Sequence, residues 1–230
     1  MDYSPPLSRD AIITALFDLL VQGCNANFTA DFSAGDPVLR NVSAFQNLRL
    51  GIPVFGPGIA ASSEIRSLDP DNEQLTLDTP PLLDGPGAAL FSGFQTTGRR
   101  LKPWAQVTAL PAMFLRHIGD EYLTAQSLTQ QRPTGIPAKI YIDCQIWVYS
   151  VAGTDGIPED AVNTLIDLVE AVLQPRPAGA AQTLGGLVRH CWIDGKITID
   201  PGDLDGQAKA VIPVRLLVPG TSPPGVARLL

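Results

Sequence analysis

Lys139-Ile140-Tyr141-Ile142-Asp143-Cys144-Gln145-Ile146-Trp147-Val148-Tyr149-Ser150 alternates without a break. Ile140, Ile142, Cys144, Ile146 and Val148 fall on one side. Lys139, Tyr141, Asp143, Gln145, Trp147 and Tyr149 fall on the other. Successive side chains of a strand point to opposite faces, so this period of two predicts a long strand. One of its faces is apolar and suits a helical layer. The other is polar to amphipathic and suits a second layer, a partner or solvent. Trp147 and Tyr149 belong to that second face.

Helical periods flank the strand on both sides. Ahead of it, Ile12, Ile13, Leu16, Leu19 and Leu20 recur at helical spacing, with Ser8 placed to cap and Asp10 in the first turn. Gly23 stands where such a helix commonly stops. Behind it, Val162, Leu165, Ile166, Val169, Val172 and Leu173 form a second stripe. That stripe opens at Pro158, Glu159 and Asp160 and closes at Pro175 and Pro177. Leu110–Gly119 predicts a short strand, and Leu187–Ile199 a hairpin turned at Asp194-Gly195. Gln207–Val218 predicts a last strand, with Ala208, Ala210, Ile212, Val214 and Leu216 on one face and a loose tail from Pro219. The fold class expected is α+β: a mostly antiparallel sheet packed by two helices.

Residues 35–93 have a different grammar. Gly35, Pro37, Gly51, Pro53, Gly56-Pro57-Gly58, Pro70, Pro80-Pro81, Gly85-Pro86-Gly87 and Gly93 leave no room for a helical period. Short strand-like runs lie between them: Val38–Val42, Ile52–Phe55, Glu64–Leu68, Gln74–Leu77 and Ala88–Phe91. Leu68-Asp69-Pro70-Asp71-Asn72-Glu73-Gln74-Leu75 predicts two strands joined by a turn. Three cations (Arg40, Arg49, Arg66) face seven acids here, a local net charge of −4. The expected organisation is an α+β domain over 1–34 and 94–230, with a β-rich module inserted at 35–93.

Composition narrows the function. The 230 residues are 45% hydrophobic and 17% charged, enough to build a core, which excludes wholesale disorder. The longest apolar run, Ala11–Val21, is broken by Thr14 and Asp18 and falls short of the ~18–20 residues of a bilayer span. Met1–Pro6 has no basic region before an apolar stretch, so no secretory signal is read there. The expectation is a soluble chain made in the cytoplasm. The net charge is −7 and the only adjacent cations are Arg99-Arg100, which argues against stable nucleic-acid binding.

The residues that carry chemistry elsewhere do not converge here. Cys24, Cys144 and Cys191 are odd in number and widely spaced, so they predict buried thiols, not a disulfide framework or a zinc site. His117 and His190 have no partner at metal-ligand spacing and predict satisfied structural histidines. Pro57 removes an N–H that a phosphate nest at Gly56-Pro57-Gly58 needs, and Leu184-Gly185-Gly186-Leu187 follows no strand. Asp120-Glu121 after Gly119, and Asp200, Asp203 and Asp205 among glycines, predict solvated turns. No acid, base and nucleophile come together, so no catalytic activity, cofactor or metal is expected. The densest cationic cluster is Arg99, Arg100 and Lys102, beside Trp104, on what reads as a hairpin arm. It predicts either a solvated strand edge or a contact with acids of a neighbouring subunit or another partner. The candidate interface residues are therefore Arg99, Arg100, Lys102, Trp104, Trp147 and Tyr149.

Several stretches, taken in order, carry a resemblance. They are Leu110-Pro111-Ala112-Met113-Phe114-Leu115, Ile146-Trp147-Val148-Tyr149, the helix Val162–Leu173, Thr183-Leu184-Gly185-Gly186-Leu187-Val188, Ile193-Asp194-Gly195 and Gly206–Val214. With the opening helix, they resemble the tail terminator proteins of long-tailed phages over about residues 7–33 and 94–218. The insert is similar to a small β module common in phage virion proteins. The resembling stretches are Asn47-Leu48-Arg49-Leu50-Gly51-Ile52-Pro53-Val54-Phe55-Gly56-Pro57-Gly58-Ile59, then Ile65-Arg66-Ser67-Leu68-Asp69, then Leu75-Thr76-Leu77. Leu68 replaces the usual Ile and Asp78 the usual Ser, and Ala60-Ala61-Ser62-Ser63 stands where that module has a P-A-G-T turn. The resemblance implies a virion structural protein: a homohexameric ring in the tail neck that caps the tail tube and stops its polymerisation. It implies the tail tube protein and a head completion or connector protein as partners. DNA would pass through the ring without specific binding, which an acidic wall suits. The alternative is a surface- or carbohydrate-binding tail or fibre component. Against it, residues 35–93 hold Phe45, Phe55 and Phe91 but no Trp or Tyr to stack on sugars.

Overall fold

The computed structural model describes residues 8–61, 63–123, 138–152, 157–174, 180–200 and 206–218. In chain order the elements are α1 (Arg9–Cys24), β1 (Ala26–Phe32), β2 (Val38–Leu39), β3 (Val54–Phe55), β4 (Ile65–Asp69), β5 (Gln74–Leu77), β6 (Gly85–Ser92), β7 (Thr96–Gly98), β8 (Ala112–Leu123), β9 (Ala138–Val151), α2 (Pro158–Leu173), β10 (His190–Ile193), β11 (Thr198–Asp200) and β12 (Gln207–Leu217). The fold is α+β with mostly antiparallel sheets. The expected tail from Pro219, the prolines after α2 and the acids Asp203 and Asp205 lie outside the described residues.

The alternating stretch is the central strand of the main sheet. Strand order is β10-β12-β9-β8-β7, with β11 also paired to β12. Ile146 lies opposite Leu115 on β8 and Ile212 on β12. Ile142, Cys144, Ile146 and Val148 share one core with Ala208, Ala210, Ile212, Val214 and Leu216 and with the stripes of both helices. Burying one such aliphatic side chain is worth about 1.5–3 kcal/mol, so this shared layer is the main source of cohesion. Ser8 Oγ accepts from Ala11 N at 3.0 Å and caps α1. Gly23 does not end that helix, which runs on to Cys24. A Cβ at Gly23 would stand 2.7 Å from Val172 Cγ1, so the glycine is there to let α1 and α2 approach.

Three local expectations fail for tertiary reasons. Leu110–Gly119 is not a short strand, because β8 runs from Ala112 to Leu123 against β9 as one long antiparallel pair. The segment after Phe94 is not a hairpin arm: β7 pairs with β8 in parallel. Leu187–Ile199 is not a hairpin either, since β10 and β11 both pair with β12 along one edge. The two strands are separated at Asp194-Gly195, where Asp194 N donates to Pro213 O. In an antiparallel ladder a residue's N–H and C=O face the same neighbour. Pro213 has no N–H to offer that edge, so the edge strand bulges out at this point.

The β-rich module starts earlier than residue 35. β1 pairs with β6 from Ala26↔Ser92 to Phe32↔Gly85, so Ala26–Phe32 belongs to the module's own sheet. Its two three-stranded sheets, β1-β6-β3 and β2-β5-β4, enclose a second core. Ala26, Phe28, Ala30, Phe32, Leu39, Val54, Ile65, Leu75, Leu77 and Leu90 fill it. The turn between β4 and β5 forms as expected, with Asp69 accepting from Asn72 N and Glu73 in the left-handed region at φ 52°. Asn25 pins the junction: its Oδ1 accepts from Phe94 N at 2.8 Å. Gly93, at φ 124°, lies so close to the Cys24 carbonyl that no Cβ fits.

Candidate assembly surface

The main sheet turns one face to the helices and the other outward. At the β7 edge, the chain after Gly98 folds back over this outer face. Leu101, Trp104, Val107 and Leu110 pack on Ala112, Phe114, Trp147 and Tyr149 as a third apolar cluster. A single 3-10 turn, Trp104–Gln106, holds the indole over Tyr149 with ring centroids 5.2 Å apart. Phe114 closes on the same ring at 5.7 Å. Tyr149 Oη donates to Lys102 O at 3.2 Å, and burial pushes the phenol's pKa up against the opposing pull of Lys209. Tyr149 is therefore 4% exposed and is not a surface residue. The second layer expected over it comes from the same chain. Trp147 and Trp104 stay half-buried, with Trp147 Nε1 donating to Gln145 Oε1 at 3.2 Å.

The cationic cluster divides. Arg99 donates to Asp10 Oδ1 and to Thr14 Oγ1, each at 2.8 Å, and so ties the covering segment to α1. It is spent within its own chain. Arg100 and Lys102 are exposed, and neither pairs with an acid among the described residues.

At the far end of the same face the sheet is open, and sequence reasoning singled out nothing there as a site. Arg215 Nε stands 2.8 Å from Asp143 Oδ1 and 3.1 Å from Asp194 Oδ2. Glu121 Oε2 is 3.7 Å from Arg215 Nη2. The guanidinium carbon lies 5.0 Å from the Tyr141 ring centroid, Tyr141 meets Trp192 edge-on, and Trp192 stacks on His190 at 5.2 Å. The hydrogen bond to Asp143, with the fields of Asp194 and Glu121, holds the Arg215 proton more firmly than usual. Three carboxylates on one guanidinium leave a local charge of −2. Register brings these residues together: Arg215 pairs with both Asp143 and Trp192.

Asp120 is not in a solvated turn. It lies within β8, its side chain is 5% exposed, and it is ion-paired to Arg9. His117 Nε2 is 3.0 Å from its other oxygen. His190 Nδ1 accepts from Gln182 N at 3.1 Å. Cys24, Cys144 and Cys191 are free and buried, and burial pushes each thiol to about 12. Among the described residues no group of three or more His, Cys, Asp or Glu is placed to hold a metal. Among them also, no helix is long and apolar enough to cross a membrane.

The chain matches no protein-family model and no curated protein sequence. The functional reading therefore rests on the residues and their placement.

Proposed function

We propose that this chain is a virion assembly protein of the tail-terminator type. Six copies form a ring on the tail tube, stop its polymerisation and present the surface to which the DNA-filled head attaches. The observation that carries the reading is the place of the resembling stretches. Leu110–Leu115 leads into β8, Ile146–Tyr149 lies in β9, Val162–Leu173 in α2 and Gly206–Val214 in β12. They form one sheet-and-helix unit with a shared core, to which the insert adds Ile52, while most buried apolar residues of the insert fold on a second core. That arrangement suits a ring-forming body carrying an appended module. It also leaves a broad polar and aromatic sheet face for contact between subunits. The chain's role is structural, with no chemistry of its own, and it sits in the neck of the virion after synthesis in the host cytoplasm. The acidic balance, −7 overall, lets DNA slide through the ring without being held.

The experiment is electron microscopy of intact particles carrying an antibody fragment against residues 35–93. Label in a ring at the head–tail joint is the expected result. Label along a fibre or at the tail tip would overturn the assignment in favour of a surface-binding component.

A further inference from the structure

The outer face of the main sheet carries two patches of opposite sign that cannot meet within one chain. Arg100 and Lys102 are exposed beyond β7, on the segment that covers Tyr149. Asp143, Asp194 and Glu121 ring Arg215 at the other end. From Asp143 to Tyr149 along β9 is about 20 Å at the rise of a strand. The β10 and β7 edges are also the two opposite borders of the sheet.

The acidic end has the form of a seat. A cleft of about 160 Å³ opens between Ile118, Asp143, Gln145, Asp194, Pro213 and Arg215, with room for one long side chain. The bulge imposed by Pro213 sets Asp194 at its rim. Asp143, Asp194 and Glu121 keep side-chain exposures of 33%, 41% and 54%, so their free lone pairs face outward. Ile118 and Tyr122, at 48% and 44% exposure, add an apolar border on β8. The net charge of −2 calls for a cation; Arg116, exposed on β8 opposite Gln145, is the nearest on this face, and among the described residues Arg100 and Lys102 form an exposed cationic pair at its far end.

We propose that this seat receives Arg100 and Lys102 of a second copy of the chain. The contact is head-to-tail. Different surfaces meet, so repetition closes a ring when the rotation per subunit divides a full turn. The inference rests on the ring reading above and supplies its two mating surfaces. Arg100 reaches the carboxylates at the mouth of the cleft, where guanidinium–carboxylate pairing sets orientation as well as attraction. The charges lie at a rim, so they act mainly on the rate and register of association and are screened by salt.

The test uses charge reversal on the full chain, with native mass spectrometry and sedimentation at low salt as readouts. The first variant is Arg100→Glu with Lys102→Glu, and the second is Glu121→Lys with Asp194→Lys. Each should melt near the wild-type temperature and associate at least about tenfold more weakly. Mixed in equal amounts, the two variants should regain rings, because each reversed rim then meets a reversed seat and each native rim a native seat, always of opposite sign. In the mixture the two variants should alternate around an even-membered ring. Rings from either variant alone, or no recovery on mixing, would overturn the proposal while wild-type rings still support the ring reading. A wild-type chain that stays monomeric at all concentrations would remove both.

Discussion

The main domain and the module bury apolar side chains by opposite means. The main domain uses long elements: the strands β8, β9 and β12 span 12, 14 and 11 residues, and each helix spans 16. A sustained period places a whole row of side chains on one layer, so Ile142, Cys144, Ile146 and Val148 need no special turn to reach the core. The module uses strands of two to eight residues, separated by glycines and prolines. Its core is assembled from single residues of many strands, Leu39 from β2, Val54 from β3 and Ile65 from β4. Registry there depends on turns such as Asp69–Glu73, not on period. The first region should respond to any fault as a unit, and the second should fail locally.

The largest effect is expected from Ile146→Asp. The side chain is fully buried at the centre of the sheet, and an unpaired carboxylate there exceeds the stability of an ordinary domain. No soluble folded protein should be recovered, as read by near-UV circular dichroism. A folded Ile146→Asp chain would show that the central strand does not hold the domain together.

Excision of the module tests where the two regions divide. Ala26 and Ser92 are paired neighbours, so the chain ends left by removing 26–92 are already adjacent. Joining Asn25 to Gly93 through a short Gly/Ser linker should leave a cooperatively melting main domain, its melting temperature lowered by the loss of Ile52 from its core. Removing 35–93 instead strands β1 without β6 and exposes Phe28 and Phe32. That variant should aggregate or melt far lower. Equal behaviour of the two deletions in calorimetry would erase the boundary at Ala26.

Alkaline pH should act on one region alone. Cys24, Cys144 and Cys191 all lie in the main core, and the module has none. Burial raises each thiol from 9.0 to about 12. Unfolded thiols lose their protons above about pH 9 while folded ones keep them, so ionisation favours the unfolded state. Main-domain stability should be intact below pH 9 and fall as pH rises toward 12. Urea midpoints followed by thiol labelling check this. A midpoint that rises between pH 8 and 10 would contradict the burial of the three thiols.

The smallest whole-chain effect is expected from Leu75→Ala, a cavity in the module core costing about 2–5 kcal/mol. The module should melt first in a separate step, with the three cysteines still protected from alkylation. Simultaneous labelling at that step would show that the two cores unfold as one.

Much of the main domain was legible as sequence because its signals are local and repeated. The alternation at Lys139–Ser150, the stripe of α2 and the Ser8 cap each depend on residues close along the chain. They determined the fold class, two helices, the central strand and the hairpin around Pro70. Tertiary structure alone decided the rest. A glycine reads the same whether it ends a helix or makes room for Val172, and only the crossing of α1 and α2 distinguishes the two at Gly23. Asp194-Gly195 carries a hairpin signal, but a proline on the strand beside it turns that signal into a bulge. Ala26–Phe32 alternates well enough for either domain, and its partner β6 lies far along the chain. The candidate surface divides in the same way. Arg99, Arg100 and Lys102 stand out as a run of charge, whereas spending Arg99 on Asp10 requires α1 to lie beside it. Arg215, Asp143 and Glu121 are scattered over three strands and Asp194 lies in the bulge after β10, and their juxtaposition follows from register across the sheet. Period and composition are properties of neighbouring residues; contacts between distant ones are properties of the packed chain.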